Sequence, residues 1–261
     1  MKAAVTQMDI VWENKEANKL ICKKMVREAA ENKAELIVFP EMTLTGFTMN
    51  FTYAGEKSLD GGETVEYFKK LSLQYGIDII FGMVYISDMP YNLSVFIEKG
   101  ELKSYYKKLH PFTYGGEADY YGKGNNIASV DYKGEKLSMF VCYDLRFPEI
   151  FQLASKESKI ITVIANWSEA RIEQWDTLLK ARAIENQSFV IGVNRTGKGN
   201  GLEYVGSSAV YSPYGERITE RINKALLYAD INIKEADKYR AEFPVKKDRR
   251  EELYKRMPNL S

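Results

Sequence analysis

The sequence predicts an α/β fold of layered sheets and helices, and three observations carry that expectation. Short runs of strand-forming apolar residues alternate with stretches whose apolar positions recur every three to four residues. Some strand-like runs are joined by short turn-forming segments, which adds antiparallel pairing and makes the expected sheets mixed. No Pro/Ser-rich linker, low-complexity tract or internal repeat breaks the alternation, so the 261 residues read as one domain, 1–261, with a C-terminal arm from about residue 234 onward to 261.

In chain order, Lys2–Met8 reads as a strand; Gln7 and Asp9 interrupt its apolar run before signal-peptide length. Asn14 precedes a helix whose apolar positions are Ala17, Leu20, Ile21, Met25 and Ala29. Leu36–Phe39 is a short apolar strand. Val65, Phe68, Leu71 and Tyr75 repeat the helical spacing, and Ile77–Ile86 follows as a strand. Asn92–Ile97 and Leu102–Tyr106 flank Glu98-Lys99-Gly100-Glu101, a hairpin signature. Leu137–Val141 is a strand, and Pro148 suits the first turn of a helix. Strands at Ile160–Ala165 and Phe189–Val193 bracket a helix through Trp175, Leu178, Leu179 and Arg182-Ala183. Val205–Tyr211 and Ala225–Ile233 read as strands on either side of the turn Ser212-Pro213-Tyr214-Gly215-Glu216.

Composition excludes several function classes. Lys plus Arg number 37 against 36 Asp plus Glu, a net charge of +1, whereas nucleic-acid or anionic-membrane partners call for a basic excess. No stretch reaches the roughly 18 apolar residues of a spanning helix. The two cysteines, Cys22 and Cys142, lack disulfide-framework or zinc spacing, which fits a reduced, cytoplasmic protein. Gly197-Lys198-Gly199-Asn200-Gly201 lacks phosphate-loop spacing and reads as a turn. Lys246-Lys247-Asp248-Arg249-Arg250, followed by Glu251 and Glu252, reads as a packed or solvated arm.

Chemistry is suggested at three strand ends. Glu41 follows Leu36–Phe39, Lys108 follows Leu102–Tyr106 and Cys142 follows Leu137–Val141, the ends at which α/β sheets collect functional groups. A free thiol is mostly protonated near neutral pH; a lysine cation beside it favours the thiolate, and a carboxylate can accept its proton. The thiolate would attack an amide carbonyl, with the lysine ammonium and the Tyr143 backbone N–H holding the oxyanion. His110, the only histidine, offers a rival Cys–His mechanism. Cys22, beside Ile21 and Met25 on an amphipathic helix, reads as packing.

The residues around these three decide between readings. Phe39-Pro40-Glu41-Met42 with Thr45-Gly46, Tyr106-Lys107-Lys108-Leu109-His110-Pro111-Phe112, and Val141-Cys142-Tyr143-Asp144-Leu145-Arg146-Phe147-Pro148-Glu149 together resemble the nitrilase superfamily of carbon–nitrogen hydrolases. The similarity continues to Phe243-Pro244-Val245 and Asp248-Arg249-Arg250. The resemblance implies a four-layer α-β-β-α sandwich, a catalytic Glu41–Lys108–Cys142 triad, and a second glutamate at Glu117, with Asp119 the alternative, orienting Lys108 and the substrate. It implies no metal or organic cofactor, a small-molecule amide substrate, no nucleic-acid or membrane partner, and a homodimer or larger assembly.

Nitrilases carry Cys-Trp-Glu where this chain has Cys142-Tyr143-Asp144, which points to amides over nitriles. Ala165-Asn166-Trp167, Gln174-Trp175, Ala181–Gln187 and Gly192-Val193-Asn194-Arg195 resemble bacterial omega-amidases, which act on monoamides of dicarboxylates such as 2-oxoglutaramate. The alternatives are another small-amide or N-carbamoyl hydrolase, a nitrilase, or a catalytically silent binding protein. Leu109-His110-Pro111-Phe112, where the family more often has His-Leu-Phe, alters the local pocket. Tyr143 and Trp167 are expected at the substrate, with Arg171 receiving its carboxylate; Arg146, beside Asp144 and Glu149, is expected in a structural ion pair.

Overall fold

The computed structural model describes residues 1–219 and 225–257. Strand β1 (Lys2–Thr6) leads to helix α1 (Lys15–Glu31), whose first turn is capped by the Asn14 side chain accepting from the Ala17 N–H at 3.0 Å. Then come β2 (Leu36–Val38), the one-turn α2 (Phe51–Ala54), the two-residue β3 (Gly55–Glu56) and α3 (Glu63–Tyr75). Gly76, at φ +63°, ends α3 in the left-handed conformation that satisfies its last carbonyls. β4 (Asp78–Ile86), β5 (Pro90–Glu98) and β6 (Glu101–Lys107) form an antiparallel run. β7 (Ser129–Tyr132) and β8 (Glu135–Val141) pair as a hairpin; α4 (Pro148–Ala154), β9 (Ile160–Ala165), α5 (Ile172–Asn186) and β10 (Phe189–Asn194) follow. The chain continues through β11 (Thr196–Gly199), β12 (Leu202–Val205), β13 (Ala209–Tyr211), β14 (Leu226–Asp230), α6 (Lys234–Glu242) and α7 (Glu251–Arg256).

Two mixed sheets result. One runs β14-β1-β2-β4-β5-β6, with β3 added beside β4; the other runs β13-β10-β9-β8-β7. In each, parallel strands occupy the middle and antiparallel strands the edges. Strand alternation sorts the side chains. Ala3, Val5, Leu36, Val38, Ile80 and Phe96 point inward and share one core cluster with Met139, Phe140, Ile161, Val163 and Ile191 of the second sheet. The intervening residues Ala4, Ile37, Ile79, Phe81 and Val95 pack outward with Cys22, Val26, Val65 and Phe68 of α1 and α3. Phe151 of α4 and Trp175, Leu179 and Ala183 of α5 cover the far side of the second sheet. The layers are therefore helices, sheet, sheet, helices. Cys22 is packing: it is fully buried, its Sγ 3.8 Å from Met8 Sδ.

One expectation needs correction. Val205–Tyr211 is not one strand; it breaks at Gly206-Ser207-Ser208, where Gly206 and Ser207 both take positive φ and the Ser208 hydroxyl donates to the Thr6 carbonyl at 2.7 Å. The break carries the chain from the small β11–β12 hairpin into the second sheet. The strands on either side of residues 212–216 lie in different sheets: β13 pairs with β10 and β14 with β1. Alternating hydrophobicity finds strands but not partners. The glycine-rich stretch does form a turn, closing β11–β12 with Asn200 and Gly201 at positive φ.

The basic run near the C-terminus lies against the ends of α4 and α5. Arg240 donates to the Gln187 and Ser158 carbonyls, Lys246 to the Ser155 carbonyl at 2.6 Å, and Arg249 to Gln152 Oε1 at 2.6 Å. Cations placed there complement the negative helix termini. The last four residues of the expected arm, 258–261, lie outside the described residues, as do 220–224.

Candidate active site

β2, β6, β8 and β9 end on the same side of the sandwich, and each delivers a polar residue to one buried cluster. Glu41 lies just beyond β2, in a turn held close to β4. A Cβ at Gly82 would stand 2.4 Å from the Met42 nitrogen, so only glycine permits the approach. Glu41 is fully buried; Oε1 accepts from Lys108 Nζ at 2.9 Å and Asn92 Nδ2 at 2.7 Å, and Oε2 from the Asn166 N–H at 2.8 Å. Asn166 Nδ2 also donates to the Glu41 carbonyl at 2.6 Å.

Lys108 follows β6 and its Nζ bridges two carboxylates, Glu41 and Glu117, the latter at 2.7 Å. Glu117 sits in a 3₁₀ turn with no exposed surface and accepts from the Phe112 N–H at 2.6 Å and from Asn92 at 2.9 Å. Asp119, the alternative second acid, is exposed. Burial alone would lower the Lys108 pKa, but Glu117 and Glu41 outweigh it and hold the ammonium charged. Burial raises the Glu117 pKa; Lys108 opposes and the Glu41 charge adds to the rise.

Cys142 opens a 3₁₀ turn at the end of β8 with φ +48°, a left-handed conformation costing about 1–2 kcal/mol for a residue other than glycine. Asp144 braces that turn. Its buried carboxylate accepts from the Val141 N–H at 3.1 Å, the Tyr106 hydroxyl at 2.8 Å, the His110 N–H at 3.0 Å and the His110 ring Nδ1 at 2.8 Å. His110 also stacks on Phe147 with ring centroids 3.8 Å apart. Among the described residues none of its hydrogen bonds or ring contacts involves Cys142; the imidazole props the turn through Asp144.

The Cys142 pKa is raised well above the ordinary thiol value by burial first and then by the Glu41 charge, against the pull of Lys108. Lys108 does favour the thiolate, but burial and the Glu41 charge outweigh it. Two carboxylates outnumber one ammonium, which favours the protonated sulfur.

Cys142 opens onto a cavity enclosing about 450 Å³ of empty space, its open mouth included, and lined by Phe47, Phe112, Tyr143, Arg146, Trp167, Arg171 and Tyr204 among others. Trp167 is held by its indole N–H donating to the Arg171 carbonyl at 2.8 Å. The Arg171 guanidinium lies 5.4 Å from the Phe112 ring. Arg146 is not in the expected ion pair. It donates to Gln174 Oε1 at 2.6 Å and lies 4.8 Å from the Trp167 ring, so its charge faces the cavity while Asp144 is occupied elsewhere. Tyr204 reaches the cavity from β12, its ring 4.6 Å from the buried Arg195 guanidinium. Among the described residues no cluster of three or more His, Cys, Asp or Glu could hold a metal, and no helix is long and apolar enough to cross a membrane.

Sequence reasoning missed Asn92, which entered only as the first residue of a strand. Its available sign was an amide heading the apolar run Leu93–Ile97, in register with the lysine: the Lys108 N–H donates to the Asn92 carbonyl at 2.9 Å.

The carbon–nitrogen hydrolase family model matches residues 2–241. The chain is 31% identical to "Hydrolase in agr operon" of Staphylococcus aureus, over 98% of this chain and 100% of that protein. It is 33% identical to Omega-amidase YafV of Yersinia enterocolitica over 94% of each, and 31% identical to 2-oxoglutaramate amidase of Bacillus subtilis (strain 168) over 87% and 89%. A solved CN-hydrolase superfamily protein from Xanthomonas campestris, with an arsenic adduct in its active site, superposes with a TM-score of 0.88 at 29% identity, covering 95% and 97% of the two chains. On the sequence match and the shared four-layer fold together, the chain belongs to the carbon–nitrogen hydrolase family.

Proposed function

We propose that this enzyme is an omega-amidase that hydrolyses the terminal amide of small 2-oxo-dicarboxylate monoamides, 2-oxoglutaramate being the model substrate, through a thioester on Cys142. The Cys142 thiol gives its proton to Glu41 as sulfur bonds to the amide carbon. The oxygen takes the electron pair of the carbonyl π bond and is held by the Lys108 ammonium and the Tyr143 N–H. As the tetrahedral intermediate collapses, the C–N bond breaks and Glu41 protonates the departing ammonia. Glu41 then removes a proton from water, which attacks the thioester and releases the acid and the thiol. Glu117 keeps Lys108 aimed and charged.

The observation that carries the substrate class is the pair of guanidinium groups, Arg146 and Arg171, on a largely aromatic cavity wall shared with Cys142. Guanidinium groups bind carboxylates bidentately, and the aromatic rings that share the cavity with them suit a short acyl chain. The names of two relatives, an omega-amidase and a 2-oxoglutaramate amidase, support the same reading. Catalysis through a free thiol accords with a reducing compartment, the cytoplasm. Exposed Leu153 on α4 and Ile184 on α5 support pairing of two copies through that helical face. An ammonia-release screen over 2-oxoglutaramate, 2-oxosuccinamate, glutamine, asparagine, N-carbamoyl amino acids and neutral aliphatic amides tests the assignment. The expected ranking has 2-oxoglutaramate first; activity confined to uncharged amides would remove the carboxylate-binding role and the omega-amidase reading with it.

A further inference from the structure

The Glu41–Lys108–Glu117 cluster carries more negative than positive charge, and one neutral side chain offsets the difference. Asn92 Nδ2 stands 2.7 Å from Glu41 Oε1 and 2.9 Å from Glu117 Oε1, so the two hydrogens of one amide go to the two carboxylates. Lys108 makes the same pair of contacts from its ammonium, at 2.9 and 2.7 Å. The glutamates are thus joined by two bridges, one charged and one neutral. Asn92 is almost wholly buried, and its Oδ1 has no hydrogen-bond partner among the described residues. An amide oriented for packing or fold stability alone would not leave its acceptor unsatisfied in order to aim both hydrogens at acids. Backbone pairing fixes its place, because the Lys108 N–H donates to the Asn92 carbonyl at the end of the β5–β6 hairpin.

We infer that Asn92 is a positioning residue that keeps Glu117 ionised and Glu41 aimed for proton transfer from Cys142. Its donors favour the charged form of each carboxylate, opposing the burial and mutual repulsion that favour the protonated form. The hydrogen bond from Asn92 acts on Glu117 in that direction. Without Asn92, Glu117 would hold a proton up to higher pH, and a neutral Glu117 no longer keeps Lys108 and Glu41 in place.

The inference rests on the Cys142–Glu41 mechanism but not on the choice of substrate, and the test separates the two. The pH dependence of kcat/KM for 2-oxoglutaramate, and of Cys142 alkylation by iodoacetamide read by intact mass, would be measured for wild type, Asn92→Leu and Asn92→Asp. The acidic limb of both profiles should move up by about one pH unit in N92L and further in N92D, which adds a third acid, with kcat falling more than KM rises. Should N92L not fold, Asn92→Ser, which only shortens the side chain, takes its place. A lower plateau with an unmoved limb would mean a packing role and would overturn the inference, as would profiles identical to wild type. A displaced alkylation limb in a protein that does not hydrolyse 2-oxoglutaramate would uphold Asn92 and remove the substrate assignment instead.

Discussion

Replacing Lys108 by Met keeps the apolar stem and removes the one cation between two buried carboxylates. At 2.9 and 2.7 Å, and an effective dielectric of about 20, each Lys–Glu contact amounts to about 6 kcal/mol of gross Coulomb attraction. Desolvation and the Glu41–Glu117 repulsion offset most of that. Breaking such a pair nonetheless costs about 3–5 kcal/mol, because uncompensated charge stays buried. The variant can relieve the strain by protonating one glutamate, whose pKa then rises above its unfolded value of about 4.3. A group raised on folding contributes stability that is complete below its unfolded pKa and is lost as pH rises through the folded one. K108M should therefore melt near wild type at pH 5 and fall behind as pH approaches 8, by on the order of 10 °C for a chain this long. Scanning calorimetry across that range reads the effect. Steady-state ammonia release on the same samples should show kcat reduced at least ~10²- to 10³-fold, the loss typical of a missing oxyanion donor. A melting deficit that is constant with pH, or larger at pH 5, would refute the charge accounting. A kcat within tenfold of wild type would refute the role given to the ammonium.

Three further outcomes follow from the same geometry. His110→Gln removes one of four donors to Asp144 and leaves the His110 N–H in place, so kcat/KM should fall less than about tenfold and the Cys142 adduct should still form by mass spectrometry; complete loss would revive a Cys–His mechanism. Arg171→Met should raise KM for 2-oxoglutaramate about 10- to 100-fold, the worth of a charge-assisted hydrogen bond, and leave a neutral aliphatic amide unchanged; equal losses on both substrates would contradict a carboxylate role. Lys246, held against Ser155, has its pKa lowered to about 7 by burial first and then by Arg240 and Arg249. The unfolded chain keeps that proton up to about pH 10, so stability is present above that value and is lost as pH falls toward 7. The Tm of wild type relative to Lys246→Met should rise between pH 7 and 9.5, and parallel curves would contradict this.

Local pattern in the sequence was enough to locate most elements and the strand ends that carry chemistry. Asn14 and Gly76 announce helix ends because capping is a local property of the chain. Glu41, Lys108 and Cys142 stood out because polar groups ended apolar strands. Pairing was not legible: β13 and β14 read as neighbours across one turn, yet the intervening chain crosses between sheets. Nor was Asn92, whose significance lies in two acids 51 and 25 residues away in the chain. Arg146 was misjudged for a related reason. Its sequence neighbour Asp144 is consumed by Tyr106, His110 and Val141, which leaves the guanidinium to the cavity. The protonation of Cys142 likewise depends on the balance of two carboxylates against one ammonium in a buried space, a sum that no single motif contains.

The covalent intermediate is the claim on which the mechanism stands, and rapid-quench intact-mass measurement tests it most directly. Mixed with 2-oxoglutaramate and stopped in acid within the first turnover, the enzyme should gain the mass of the acyl group, on the peptide that contains Cys142. Glu41→Gln and Cys142→Ala should show no gain. Turnover by C142A, or an acyl group carried on any other residue, would contradict the account.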